Sequence, residues 1–420
     1  MGVAASVLHR DPRVDFFRGL AFIIILIAHI PSNWVAQWIP ARFGFSDATE
    51  MFVFMSGFAA GIAFGGTYNK AGYWLGTARI AYRTWQVYIA HLILFFFILV
   101  MLLAANSVFD TNDYVGQLNL TYFLNDTGRA LIGLFTMTYV PNFFDILPMY
   151  IVILCMIPAF MALARIRPAL AIAACVVLYA VNYVIVIELP AEVSPDRNFR
   201  AWFFNPFAWQ ILFFAGFAMS LGYLRLPPFR WWLVALCVAM VVLGVVYSRY
   251  AIWGSLDWLS EWRQDLHYLR CQNWRAEEGE RCFFWTKSHL DIFRVLHFLA
   301  LAYLVVWALK GREQILTWRW AEPICQCGRQ SLPVFMFSMI LSRAYNVLMD
   351  QTARTTWQEI GFNVAAVATL IAIAYLLGWL KSNPWRPPKA ARTSTPPPDP
   401  SADPPRWTSG GPASAAATGR

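Results

Sequence analysis

Charge is what this sequence has least of. Aspartate, glutamate, lysine and arginine make up 14% of its 420 residues and hydrophobic residues 59%, whereas soluble domains carry about 25% charged residues. So little charge cannot cover a large surface facing water, which excludes an ordinary soluble enzyme or binding module. The alternation that marks a membrane β-barrel is missing too, because the apolar runs are apolar on every side. Nor is a cleavable signal peptide expected. His9, Arg10 and Arg13 lead into an apolar run too long for a signal core and lacking a small-residue cleavage site. That run is expected to be a retained helix.

What the sequence has instead is a succession of apolar stretches of about 20 residues, the length that crosses a bilayer core as a helix. Mean hydropathy is +0.48. The expected fold is all-α and polytopic, with transmembrane spans near 16–38, 47–66, 84–106, 142–164, 169–189, 206–224, 231–252, 291–309, 330–349 and 358–380. The basic residues orient them. Lys70, Arg79 and Arg83, Arg165 and Arg167, Arg225 and Arg230, Lys310, Arg312 and Arg319, and finally Lys381, Arg386, Lys389 and Arg392 fall on one side; Arg42, Arg129, Arg197 and Arg200 fall on the other. The positive-inside rule makes the first side cytoplasmic and puts both termini there. The same scatter over short loops accounts for the net charge of +9, so no nucleic-acid partner is expected.

The chain divides into a cytoplasmic N-terminus (1–15), a membrane domain (16–385) and a tail (386–420) rich in Pro, Ser, Ala, Thr and Gly. Such a tail cannot bury a core and is expected to be disordered. Two outer segments are substantial. Residues 107–141 hold Asp110, Asp113 and Asp126, and residues 253–290 hold Trp253, Trp258, Trp262, Trp274 and Trp285. These tryptophans suit either interfacial anchoring or stacking on sugar rings. Cys155, Cys175 and Cys237 lie in apolar runs as small core residues, and Cys271 and Cys282 share the longer outer segment, where an oxidising compartment permits a disulfide. Cys325-x-Cys327 alone is a weak metal signal, and no metal site is expected.

An ionisable residue inside a span costs about 2.5–3.5 kcal/mol on insertion scales and needs a reason. Asp15, Arg18 and His29 share one face of the first span, with His29 about 16 Å beyond Arg18 and Pro31 just after it. Asp47 and Glu50 open the second span on one face, with Glu50 at a depth near that of His29. A histidine beside a carboxylate suits a general base; a structural polar pair or a transporter's proton site fits the pattern equally. Gly57, Gly61 and Gly65 form a small-residue stripe that admits a helix backbone or a slender ligand. Arg79 and Arg83, four apart, can aim together at phosphate or merely anchor the helix. His91 is a site residue or a core histidine. Asp291, Arg294 and His297 make a further cluster, and Asn205, Trp209 and Gln210 are candidates for a polar acceptor; His267 and His289 are expected at the surface.

The stretch Arg10-Asp11-Pro12-Arg13-Val14-Asp15-Phe16-Phe17-Arg18-Gly19-Leu20, followed by His29-Ile30-Pro31, resembles the start of the OpgC family of osmoregulated periplasmic glucan succinyltransferases. Phe43 to Gly57, Asn205 to Gln210 and Gly328 to Phe335 are similar to that family as well. The family is in turn related to the membrane acyltransferase-three group, whose hallmark of an arginine, ten residues and a histidine is matched by Arg18 and His29. The resemblance implies ten helices, an acyl-CoA donor, an extracytoplasmic carbohydrate acceptor and essential roles for His29 and Arg18. The group often carries a proline shortly after the arginine pair aligned with Arg79 and Arg83; here Trp85 and Gln86 stand there.

These readings combine into one expectation. The protein sits in the bacterial inner membrane, holds no permanent cofactor, and uses succinyl-CoA as acyl donor. Arg79, Arg83 and Lys70 take the CoA phosphates. The donor arm passes the Arg18 face, Arg18 and Asp15 belong to the catalytic group, and His29, oriented by Glu50 or Asp47, deprotonates a glucan hydroxyl or carries the acyl group itself. Arg294 holds the free carboxylate of the succinyl group, with His297, Trp209 and Gln210 at the substrate. The expected partners are acyl-CoA, the glucan, membrane lipids and, in a homodimer, a second copy. The rival readings are an acetyltransferase of another envelope glycan, a proton-coupled glycan transporter or flippase, and a membrane scaffold.

Overall fold

The computed structural model describes residues 11–109, 112–193, 199–248, 261 and 286–385. Asp110, Arg197, Trp253, Trp258, Trp262, Trp274, Trp285, His267, the Cys271–Cys282 pairing and the tail from 386 lie outside the described residues.

Thirteen helices are described here. They are α1 (Pro12–Ala28), α2 (Ala48–Ala60), α3 (Gly66–Val108), α4 (Thr121–Asn125), α5 (Thr127–Thr136), α6 (Ile146–Ile166), α7 (Pro168–Ile185), α8 (Pro206–Ser220), α9 (Trp231–Ser248), α10 (Ile292–Leu309), α11 (Glu322–Arg329), α12 (Ser331–Asp350) and α13 (Thr356–Lys381). One short antiparallel pair, β1 (Pro190–Val193) with β2 (Phe199–Ala201), is the described strand structure. Local chemistry sets the helix starts. Asp11 caps α1 through the Arg13 N–H, with Pro12 at the first position. Asp47 and Glu50 close a capping box on α2. The Asn205 side chain accepts from Phe207 N–H and Ala208 N–H at the start of α8.

Each expected span falls on one of these helices. Among the described residues, seven helical stretches are long and apolar enough to cross a membrane; one of them, Ala48–Val108, contains two expected spans. α1 and α8, with 17 and 15 residues, are shorter. The molecule is an all-α, polytopic membrane protein. Two boundaries depart from expectation. The first span ends at Ala28 rather than near residue 38, because Ser32 takes φ 51° just after Pro31 and breaks the helix. The expected loop 67–83 is helical. Polar side chains alone do not distinguish a loop from a helix that runs beyond the bilayer. The chain turns through a π-helical segment, Gly61–Gly65, and then at Gly72, whose φ of 84° favours glycine. Across that turn Tyr68 Oη and Thr77 Oγ1 lie 3.1 Å apart.

The residues up to Gly378 form one compact unit. Within it, α2 lies tightly on α8. A β-carbon on Gly57 would stand 1.9 Å from the Phe213 carbonyl oxygen, and one on Gly216 would stand 2.2 Å from that of Phe54. The glycine stripe therefore serves helix packing and does not line a ligand path. α1 lies as closely on α11, where Gly19 faces the Ile324 carbonyl and Gly328 the Asp15 carbonyl. Cys175 and Cys237 are buried, whereas Cys155 is exposed on the outside of α6, correcting its expected core position. Cys325 and Cys327 are buried in packing, and no cluster of metal-ligating side chains occurs among the described residues.

Candidate active site

Two cavities among the described helices lie one beyond the other along α1. The first, about 410 Å³, lies at the level of Arg18, and its lining includes Arg79, Arg83, Gln86, Ser56, Tyr150 and Ser331. The second, about 420 Å³, lies at the level of His29, and its lining includes Thr49, Asn142, Phe143, Asp145, Lys287 and Arg343. Residues one or two helical turns apart divide between them: Arg18 and Ile25 on α1, Tyr150 and Ile146 on α6, Ser331 and Phe335 on α12. Between the two levels three buried rings meet. Phe52 and Phe335 stack at 5.6 Å, and Phe22 touches both, at 5.6 and 6.3 Å.

Three guanidinium groups line the Arg18 cavity, one from α1 and two from α3. Arg18 donates to Ser331 Oγ at 2.5 Å and reaches the Gly328 carbonyl at 3.4 Å. Arg79 donates to the Ala63 carbonyl at 2.9 Å and to the Thr67 hydroxyl. Arg83 donates to Gln86 Oε1 at 3.1 Å. The partners of Arg79 and Arg83 among the described residues are a carbonyl, a hydroxyl and an amide, none of them an anion, so the positive charge of this pair stays available to a polyanion. Lys70 is exposed and does not line the cavity.

His29 closes α1 at its C-cap. Its Nδ1 lies 2.7 Å from the Ile25 carbonyl oxygen. A carbonyl only accepts, so Nδ1 carries the proton and Nε2 of the neutral ring keeps its lone pair. Nε2 makes no hydrogen bond to a described residue. The turn after His29 is clamped from α12, α13 and the link between them. Arg354 donates to the carbonyls of Pro31 at 3.0 Å and Ser32 at 3.3 Å, and Asn346 and Asp350 hold its guanidinium. Asn33 and Asn363 exchange amide hydrogen bonds of 2.9 Å each, and Glu359 accepts from Trp34 N–H at 2.6 Å. Phe143 sits edge to the imidazole at 5.2 Å, and its φ of 86° is costly for a residue with a β-carbon.

Several expected roles move. Glu50 does not orient His29. Its carboxylate takes Arg294 Nε at 2.7 Å and closes the capping box through Asp47 N–H at 2.8 Å. Asp47 pairs with Lys287 at 2.7 Å and Arg294 at 3.3 Å. The orienting group for the imidazole is a backbone carbonyl. Arg294, placed between two carboxylates, is not free for a substrate acid. Asp15 lies away from both cavities, buried in the α1–α11 joint 3.8 Å from Arg329. His297 pins the segment before α2, with Nδ1 2.7 Å from Ser46 Oγ and its ring against Gly44 and Gly244. Trp209 is fully buried and donates to the carbonyls of Lys287 and Ser288, and Gln210 donates to that of Cys175. Both tie the core together and line neither cavity. His91 is buried, with neither ring nitrogen hydrogen-bonded, and lies outside both linings.

The sequence reading passed over Arg343, Asn142 and Tyr150. Arg343 carried a signal of its own, an arginine in the middle of an apolar span. The others carried none, because their significance depends on which helices meet.

No curated protein matches the chain, and no solved structure matches it. A family model described as OpgC protein matches residues 10–382. That range covers the whole helical unit and both cavities, and the chain is a member of the OpgC family.

Proposed function

We propose that this protein is a membrane acyltransferase that moves a succinyl group from cytoplasmic succinyl-CoA to hydroxyls of periplasmic glucans in the bacterial inner membrane. Family membership supports an acyltransferase that modifies glucan. The observation that carries the reading is the stacking of an arginine-walled cavity and a histidine-bearing cavity along one helix. That arrangement suits a donor whose nucleotide stays on one side while its reactive end reaches the other.

In this scheme Arg18, Arg79 and Arg83 hold the phosphates of CoA at the cytoplasmic face. The pantetheine arm passes the level of Phe22, Phe52 and Phe335, whose rings turn aside to admit it. The thioester then lies beside His29. Nε2 takes the proton of a glucan hydroxyl as its oxygen bonds the acyl carbon. The carbon–sulfur bond breaks, and the proton leaves with the thiolate as free CoA thiol.

The test is transfer of labelled succinyl from succinyl-CoA to glucan by the purified protein in proteoliposomes. Arg79→Ala and Arg83→Ala are each expected to raise KM for succinyl-CoA by roughly 10-fold or more, since a charge-assisted hydrogen bond contributes about 1.5–3 kcal/mol, with a smaller effect on kcat. Unlabelled glucan in the presence of active protein, together with proton-driven glucan flux that needs no CoA, would turn the reading to a transporter.

A further inference from the structure

We infer that Arg343 selects a dicarboxylic acyl group by binding its free carboxylate, a role the sequence had suggested for Arg294. The inference rests on the acyltransferase reading and adds the residue that sets donor choice.

Two lysine or arginine side chains line the His29 cavity. Lys287 is already paired with Asp47 at 2.7 Å. Arg343 is only 9% exposed, its Nε is buried without a hydrogen bond, and no hydrogen bond or ion pair to it occurs among the described residues. Its one described interaction is with the Phe143 ring, whose centroid lies 4.2 Å from the guanidinium carbon. A cation held this deep in an apolar span without a counter-charge is costly. An anion brought by the ligand removes that cost, and a guanidinium fork fits a carboxylate. Asp145 lines the same cavity and accepts the Phe203 N–H at 3.0 Å, but no ion pair between Asp145 and Arg343 occurs among the described residues.

Position agrees with the chemistry. Phe143 touches both the imidazole of His29 and the guanidinium of Arg343, so the two groups flank one ring. The two ends of a four-carbon diacid group are about 4 Å apart, from carbon–carbon bonds of about 1.5 Å. The inference places the thioester carbon at His29 and the free carboxylate of the same acyl group at Arg343, on either side of Phe143. An acyl group of the same length ending in methyl would leave Arg343 buried and unpaired, and so would be rejected.

The experiment compares succinyl-CoA with butyryl-CoA, equal in chain length, in proteoliposomes holding wild type, Arg343→Met and Arg343→Lys at equal amounts, with thermal unfolding in detergent to check folding. Wild type is expected to prefer succinyl. Arg343→Met is expected to lose succinyl transfer on the order of a hundredfold, as when one partner of a buried charge pair is truncated, while butyryl transfer holds or rises. Arg343→Lys is expected to recover part of the succinyl preference. Equal losses with both donors in a folded Arg343→Met, or an unchanged preference, would overturn the assignment while leaving acyl transfer intact. Absence of transfer from either donor in wild type would overturn the acyltransferase reading itself.

Discussion

At the scale of single residues, the protein uses the same side-chain types for two different purposes. Arg294 and Arg343 both sit deep among apolar helices, but the first is held by Glu50 and Asp47 and the second, among the described residues, by no anion. The pairing dictates opposite responses to truncation. Arg294→Ala leaves the fully buried Glu50 carboxylate without its cation, a loss of about 3–5 kcal/mol when a buried pair is broken from one side. It is expected to lower thermal stability in detergent and membrane abundance, with succinyl and uncharged donors affected alike. A stable Arg294→Ala protein that had lost only succinyl transfer would return the donor-selecting role to Arg294. The expectation that Glu50 serves His29 failed for a physical reason. Helix periodicity gives the face of each side chain, but it does not say which neighbour across the bundle takes the charge. Glu50 found Arg294, 244 residues away, and His29 found a carbonyl one turn back in its own helix.

At the scale of elements, glycine and phenylalanine divide the labour in α2. Gly57 lets the backbones of α2 and α8 touch, and Phe52, about one turn away, completes the aromatic layer between the cavities. Gly57→Val is therefore expected to destabilise by about 1–3 kcal/mol or more as an overpacked contact, measured by thermal unfolding, without a change in donor preference. Unchanged stability would mean that α2 and α8 can separate at no cost. The stripe was visible in the sequence, but its partner was not: packing helix and ligand channel leave the same spacing, and only the Phe213 carbonyl decides between them. Pro31 was a legible break. The clamp that uses the break was not legible, because Arg354, Asn363 and Glu359 reach the turn after His29 from more than three hundred residues away.

At the scale of the whole molecule, the helices and their approximate places could be read from hydropathy, since about 20 apolar residues suffice to cross a bilayer core. The spans were legible one at a time; the two-level core was not. It arises because α1, α2, α6 and α12 each present one residue to the Arg18 cavity and another to the His29 cavity, with Phe22, Phe52 and Phe335 between. A single-sided soluble enzyme has no use for such a division. An enzyme whose donor and acceptor lie on opposite sides of a membrane does, and the cluster of basic residues at the Arg18 level matches a cytoplasmic side under the positive-inside rule.

Everything in this scheme converges on the Nε2 lone pair of His29, held in place by the Nδ1 contact with Ile25. The most direct measurement is the charge of periplasmic glucan from cells making wild-type protein or His29→Ala at equal membrane abundance. Loss of anionic, succinylated glucan in the mutant with total glucan unchanged is expected if His29 is the base. Undiminished succinylation would contradict that role, and disappearance of glucan from the periplasm would point instead to its transport.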